Sequence, residues 1–211
     1  MHFTLLRVGF FSRYAEKLLM SKSLTSLHLI EQFYSSAQST DLYQQLMAAH
    51  RWPDNHYRYA GREFILPRLQ TWHADPGIRY SYSNNLLLTQ SWTPLLNSIR
   101  QKIERYLEVS FNSVLVNYYR DGQDYVGWHS DNEVELGPQP FIASLTLGAT
   151  RRFAFKHKQT HEEQFMPLKA GALLVMQADF QHYYWHSLPP DALITSGRVN
   201  MTFRQVLLKD E

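Results

Sequence analysis

Gly127-Trp128-His129-Ser130-Asp131, read together with Arg198-Val199-Asn200-Met201-Thr202-Phe203-Arg204, decides the fold of this chain. The second run alternates polar and apolar residues without a break, the period-two pattern of a strand between two different environments. As a strand it puts Arg198, Asn200, Thr202 and Arg204 on one face and Val199, Met201 and Phe203 on the other. Two arginines with polar residues between them are costly to bury unless something anionic meets them. The first run sets an imidazole and a carboxylate two residues apart, and on a strand both side chains point the same way. A metal site beside an anion-binding strand joins the two readings.

Around these runs, after Ser110, the chain breaks into short alternating or apolar segments punctuated by Gly, Asp and Pro. Val114 to Tyr119, Ile142 to Leu147, Arg152 to Lys156, Ala172 to Met176, His182 to His186 and Val199 to Val206 are the predicted strands. Many short strands at this spacing predict a sandwich or barrel. Upstream, Asp41 to His50 predicts a helix, with Asp41 as N-cap, Gln44 three residues on, and Leu42, Leu46 and Ala49 on one stripe. Thr93-Pro94 opens a second helix in which Leu95, Ile99, Ile103 and Leu107 recur at helical spacing while Arg100, Lys102 and Glu104 face water. Between the helices lies a stretch rich in aromatic and basic residues, among them Arg51, Tyr57, Arg58, Arg62, Arg68 and Tyr82. Helices in front and strands behind make the fold α+β.

The bulk numbers narrow the function. A chain of 211 residues can bury one substantial core, and its 44% apolar and 19% charged residues exclude disorder. Aromatics at 14% favour a β-rich core and leave planar side chains for stacking on a flat ligand. A net charge of +2 gives no strong general attraction to nucleic acid, so any basic footprint must be local. The absence of cysteine excludes disulfides, thiolate metal sites and Cys nucleophiles. No stretch approaches the ~18 apolar residues of a membrane span. The first twenty residues carry Arg7, Arg13 and Lys17 among apolar neighbours, and Met20 follows. They are read as an extension, from an upstream start codon or as a peripheral helix, in preference to a targeting peptide.

Two imidazoles and one carboxylate on one side of a metal form the facial triad of non-haem Fe(II) oxygenases, which leaves three positions for substrates. His129 and Asp131 supply two of these ligands; spacing leaves the third open between His182 and His186. His157 and His161 lie in a polar loop and are read as solvated. Asn117 and Tyr119 project to one face just before the Asp121-Gly122 turn, as packed polar residues or as co-substrate contacts. With the arginine strand, these residues describe a metal-chelating dicarboxylate held at its far end by a buried guanidinium.

The motifs resemble a known family. N-x-Y at Asn117, W-H-S-D-x-E from Trp128 to Glu133, I-A-S-L-T-L-G-A-T-R from Ile142 to Arg151, H-S-L-P from His186 to Pro189 and R-V-N-M-T-F-R from Arg198 look like the AlkB family of Fe(II)/2-oxoglutarate dioxygenases, enzymes that remove alkyl groups from nucleic-acid bases. The resemblance covers about Pro67 to Val206 and extends to the P-R-x-x-x-W run from Pro67 to Trp72. It implies a double-stranded β-helix (jelly-roll) core with flanking helices. A single domain over 21–211 is expected after an extension over 1–20, with a nucleotide-recognition lid at about 51–85 and a catalytic β core at about 110–208.

Carried across, the resemblance implies that His129, Asp131 and His186 hold Fe(2+), H-S-L-P choosing His186 over His182. Arg198 would pair with the distal carboxylate of 2-oxoglutarate, helped by Asn117, Tyr119 and Asn200, while Arg204 lies near the metal-bound end and Asp131. Tyr82 takes the place of an aromatic that stacks on the target base opposite the His129 ring, and Glu133 an acidic position near the base's exocyclic nitrogen. Arg58, Arg62, Arg68, Arg151 and Lys156 are candidates for phosphate contacts. The implied reaction is oxidative demethylation of bases of the 1-methyladenine and 3-methylcytosine type in DNA, with O2 and 2-oxoglutarate as co-substrates. Such a base cannot pair normally and is cationic, so its extrusion costs less than that of a sound base. A stacking sandwich with a nearby carboxylate suits a flat cation. The alternatives are the same chemistry on RNA, an inert nucleic-acid-binding module that keeps the fold, and a metal-dependent hydrolase. A cytoplasmic monomer without membrane contact is expected.

Two departures from the family pattern bear on strand preference. Relatives that prefer duplex carry a bulky apolar finger on a hairpin before P-R, where this chain has Tyr59-Ala60-Gly61-Arg62. Those relatives also carry a basic run after H-S-L-P, where this chain reads Pro189-Pro190-Asp191-Ala192-Leu193. Both differences favour single-stranded DNA or a looser grip on duplex.

Overall fold

The computed structural model describes residues 26–207, apart from 55, 60, 79, 80, 83, 84 and 87. The predicted extension over 1–20 therefore lies outside the described residues. In chain order the elements are β1 (Leu27–Ile30), α1 (Ser36–Ala49), β2 (His56–Tyr59), β3 (Arg62–Ile65), β4 (Leu69–Ala74), β5 (Ser81–Tyr82), β6 (Asn85–Leu86), β7 (Thr89–Gln90), α2 (Pro94–Leu107), β8 (Ser113–Tyr119) and β9 (Val126–His129). A 3-10 turn over Val134–Leu136 follows, then β10 (Ile142–Gly148), β11 (Arg151–His157), β12 (Glu163–Leu168), β13 (Leu173–Met176), α3 (Ala178–Tyr183), β14 (Tyr184–Leu188) and β15 (Arg198–Arg204).

A seven-stranded sheet in the order β1-β13-β10-β15-β8-β4-β7 packs over a four-stranded sheet in the order β12-β11-β14-β9. The pairings are antiparallel except β4 with β7. This is the jelly-roll core of an α+β chain, as expected. β2–β3 and β5–β6 stand apart as two-stranded hairpins. No helix among the described residues is long and apolar enough to cross a membrane.

Alternation along the central strands makes two different layers. Val199, Met201 and Phe203 of β15, Val114 and Val116 of β8, and Leu145 and Leu147 of β10 join Leu46 of α1 and Leu96, Ile99 and Ile103 of α2 in one apolar cluster. Burying such side chains contributes about 1.5–3 kcal/mol each before the entropy of ordering them is subtracted. The opposite faces of the same strands look between the sheets, where Phe153, Phe155, Leu168, Leu174, Met176 and Phe180 form a second cluster.

Helix α2 begins where Thr93-Pro94 predicts, with the Thr93 hydroxyl accepting from the Leu96 amide. Its polar flank differs from the expectation of a solvated face. Arg100 donates to Asp75 at 2.8 Å and lies 4.4 Å over the Trp92 ring, Lys102 donates to the Phe33 carbonyl, and Glu104 accepts the Phe111 amide. α1 starts earlier than predicted. Ser35 and Gln38 form a complete capping box, and Asp41 lies inside the helix, accepting from Gln45 at 2.8 Å. The segment around His182 also differs from the predicted strand. It begins as the short helix α3, and only Tyr184 onward is extended.

Behind α1 the His50 ring meets Thr71 Oγ1 at 2.7 Å, with the Trp52 ring at 4.3 Å and the His73 ring at 5.3 Å. Burial, with the neighbouring His73, lowers His50 from 6.5 to about 4, and burial lowers His73 as well. The unfolded chain therefore binds protons below pH 6.5 that the folded chain refuses. Stability from the neutral rings is complete above that pH and is lost as pH falls towards 4. We expect His50→Gln to remove on the order of 2 kcal/mol of the stability loss between pH 7 and 4.5, read from urea melts.

Candidate active site

The polar faces of β15, β8 and β10 and the inner faces of β9 and β14 enclose one pocket. Its wall includes Arg68, Asn117, Tyr119, His129, Asp131, Ser144, His186, Arg198, Asn200 and Arg204. Strand register accounts for this convergence. Arg198 stands opposite Tyr119 and Asn200 opposite Asn117 across β15–β8, while His186 stands opposite His129 across β14–β9.

One ligand atom from each of His129, Asp131 and His186 lies within 4.8 Å of the others. The His129 and His186 ring centroids are 4.2 Å apart. His129 Nδ1 donates to the Gly127 carbonyl at 2.8 Å, which fixes the ring and leaves Nε2 as the electron-pair donor, 3.7 Å from Asp131 Oδ1. The other carboxylate oxygen accepts from Arg204 at 2.9 Å. Burial alone would raise the Asp131 carboxyl, but Arg204 and the two imidazoles hold it well below the usual carboxylate range. Burial with neighbouring His129 pushes His186 down to about 3, and burial lowers His129. At neutral pH the trio is thus two neutral imidazoles and a carboxylate, the protonation states a divalent metal requires. Asp131 Oδ1 and His186 Nδ1 are buried and make no hydrogen bond among the described residues. Two nitrogen donors and one oxygen donor on one side of a pocket fit Fe(II) with further positions open.

The spacing argument succeeds for a reason other than the predicted one. β9 ends at His129, so Asp131 lies beyond the strand. Its amide instead donates to Oε1 of the fully buried Gln181 at 2.9 Å, and Ser130 Oγ donates to the Tyr184 carbonyl at 2.8 Å. Sequence reading missed Gln181, because a single glutamine in a polar run carries no periodic signal.

At the other end of the pocket Arg198 is 2% exposed. It donates to Thr146 Oγ1 at 2.8 Å and lies 5.2 Å from the Tyr119 ring centre. Burial lowers its guanidinium to about 10, with Tyr119 opposing the shift. Asn200 is fully engaged, its amide donating to Ser144 Oγ and the Leu145 carbonyl while its oxygen accepts from Thr202. Asn117 accepts from Arg68 Nε at 3.0 Å.

The remaining predicted residues divide. Arg68 and Arg151 are not phosphate contacts, being 5% and 1% exposed. Arg68 reaches into the pocket wall, also donating to the Tyr125 carbonyl. Arg151 donates to the carbonyls of Asp121, Gly122, Asp124 and Pro189, pinning two loops at once. We expect Arg151→Met to destabilise the chain by about 3 kcal/mol or more, since several buried carbonyls lose a charged donor. Calorimetry checks it.

Arg62 is exposed on β3, and Lys156 is half-buried with its ammonium 4.5 Å over the Trp128 ring. Glu133 is half-buried at the start of the 3-10 turn and is not among the residues lining the pocket. Tyr82 and Arg58 lie on hairpin strands, but their side chains fall outside the described residues, as does Ala60 of the finger position. His182 is exposed on α3 and is not a member of the donor trio that His186 completes. His161 is exposed as expected, and His157 is half-buried at the end of β11.

Comparison with known proteins agrees with this geometry. Residues 26–204 match the model of the 2OG-Fe(II) oxygenase superfamily. The chain is 37% identical over 156 residues to the human protein named DNA oxidative demethylase ALKBH2, a match covering 70% of this chain and 60% of that protein. It is 39% identical over 150 residues to the mouse alpha-ketoglutarate-dependent dioxygenase alkB homolog 3, covering 66% of this chain and 52% of that one. An Arabidopsis thaliana protein named DNA oxidative demethylase ALKBH2 is 33% identical over 210 residues, covering 87% and 67%. The chain thus spans about 60% of the length of its human relative. Among solved structures, OsALKBH1 superposes with a TM-score of 0.57 at 17% identity, covering 86% of this chain and 98% of that one. A Pseudomonas putida prolyl-4-hydroxylase gives 0.51 at 14%, covering 86% and 94%. At those identities the likeness is one of fold.

Proposed function

This chain belongs to the 2OG-Fe(II) oxygenase superfamily and, within it, to the AlkB family, and on that premise we propose that it is an oxidative demethylase of N-alkylated bases in DNA. The observation that carries the reading is a three-donor cluster sharing one pocket with a buried guanidinium. His129, Asp131 and His186 would hold the metal. The metal, with 2-oxoglutarate and O2, would supply the oxidation of an N-alkyl carbon that releases it as an aldehyde.

The protein's own residues bind and orient. Arg198 meets the distal carboxylate of 2-oxoglutarate, supported by Tyr119 beside it and by the amide nitrogen of Asn117. Asn200 keeps Ser144 and Thr202 in place on the same wall. Arg204 holds Asp131 deprotonated and aimed. On the substrate side the region of about 51–85, with its two hairpins, forms a base-recognition lid within one domain over 21–211. Tyr82 stacks on the base against the ring of His129, Glu133 complements its charge, and Arg58, Arg62 and Lys156 meet phosphates. The metal donors come from one chain, so a monomer suffices. The small finger position at Ala60 and the acidic Asp191 after H-S-L-P suit a single strand better than a duplex.

Mass spectrometry of oligonucleotides carrying 1-methyladenine or 3-methylcytosine, incubated with protein, Fe(II) and 2-oxoglutarate, tests the whole reading. Loss of the mass of one CH2 per base, dependent on 2-oxoglutarate and faster on single-stranded DNA, is expected. Product without 2-oxoglutarate would indicate hydrolysis, equal loss from RNA a broader substrate class, and a duplex preference would remove the strand assignment.

A further inference from the structure

We infer that Gln181 is the positioning residue for the metal arm: its side chain fixes the backbone of Asp131 and so sets how tightly the donor cluster binds a divalent metal. The inference rests on the reading of that cluster given above. His129 is held by the β9–β14 ladder, but Asp131 lies past its end, where no strand pairing fixes the chain. Arg204 pulls on the carboxylate from one side. The Gln181 Oε1 contact at 2.9 Å to the Asp131 amide holds the same residue by its backbone.

The orientation of the glutamine follows from chemistry. Were its amide reversed, two N–H donors would face each other at the Asp131 amide. As placed, its Nε2 finds among the described residues only the Met176 sulfur at 3.6 Å, a weak acceptor. A fully buried primary amide with so poor a partner for its donor end is costly, and a methionine would fill the same space. The acceptor end is what this position needs. Gln181 is itself anchored, for its carbonyl accepts from Lys158 Nζ at 2.7 Å, and the next contact of the arm, from Ser130 to Tyr184, falls on the segment leading into His186. The tie therefore links the arm carrying two donors to the segment carrying the third.

Co(II) titration of the full chain without 2-oxoglutarate, followed by absorbance, tests the inference. Gln181→Met should weaken Co(II) binding roughly 10- to 100-fold, the usual effect of removing a group that orients a metal ligand. At saturating metal its KM for 2-oxoglutarate should remain near the parent's. Gln181→Glu keeps an acceptor at the same reach and should bind Co(II) within several-fold of the parent. If Gln181→Met does not fold, Gln181→Asn, which withdraws the amide by one methylene, makes the same comparison. Parent-like Co(II) binding by Gln181→Met overturns the inference, as does equal weakening in Met and Glu variants in step with their melting temperatures, which marks a space-filling role. A parent chain that binds no Co(II) overturns the reading of the metal cluster itself.

Discussion

Asp131→Ala is expected to abolish metal binding and lower turnover by roughly a thousandfold or more, since the donor trio loses its anionic member. The change also takes a carboxylate away from the buried Arg204, and breaking such a pair typically costs about 3–5 kcal/mol. Loss of activity alone would therefore be ambiguous between a missing ligand and a damaged fold. Asp131→Asn separates the two. It keeps the volume and an oxygen for Arg204 but not the charge, so its melting temperature should lie closer to the parent's while Co(II) and Fe(II) binding still fall steeply. Calorimetry with a parallel metal titration reads both. Tight metal binding by Asp131→Asn would remove the carboxylate from the donor set.

Arg198→Met should have opposite consequences in two assays. Without co-substrate the buried guanidinium has no ion-pair partner among the described residues, and burial already lowers it to about 10. Replacing such a group by an apolar chain of similar length is often neutral or stabilising, so the melting temperature of the free protein should hold or rise. With 2-oxoglutarate the sign reverses. Truncating one side of a buried charge pair costs about 2–5 kcal/mol, so the concentration required should rise roughly a hundredfold and the thermal shift produced by 2-oxoglutarate should vanish. Arg198→Lys should fall between, keeping the charge and losing the forked geometry. An unchanged 2-oxoglutarate requirement in Arg198→Met would displace the dicarboxylate from this end of the pocket.

The two-faced character of β15 was legible because period-two alternation maps directly onto opposite sides of a sheet, and the structure buries both faces. Helix α2 was equally legible through Thr93-Pro94 and the spacing of Ile99, Ile103 and Leu107. Other features resisted because their causes lie far apart along the chain. Arg151 looks like any surface arginine until carbonyls from Asp121 to Pro189 close around it. Arg68 likewise finds Asn117 across a gap of 49 residues. α3 is too short to show a helical period, so its histidine was read in a strand. Asp41 has the chemistry of a cap, but Ser35 and Gln38 supply a better one a turn and a half earlier. The donor trio was half legible: H-x-D named two members, and only the H-S-L-P resemblance chose the third.

The pocket rests on two kinds of support. Its wall around Arg198 belongs to β8, β10 and β15, central strands of the seven-stranded sheet, whereas among the described residues β2–β3 and β5–β6 pair only within themselves. Amides of the former should be among the last to exchange with solvent and those of the hairpins among the first. On the proposed lid assignment, substitutions in the hairpins would redraw which bases are accepted while the metal-bearing half keeps its shape, so selection could change the target without rebuilding the donor cluster.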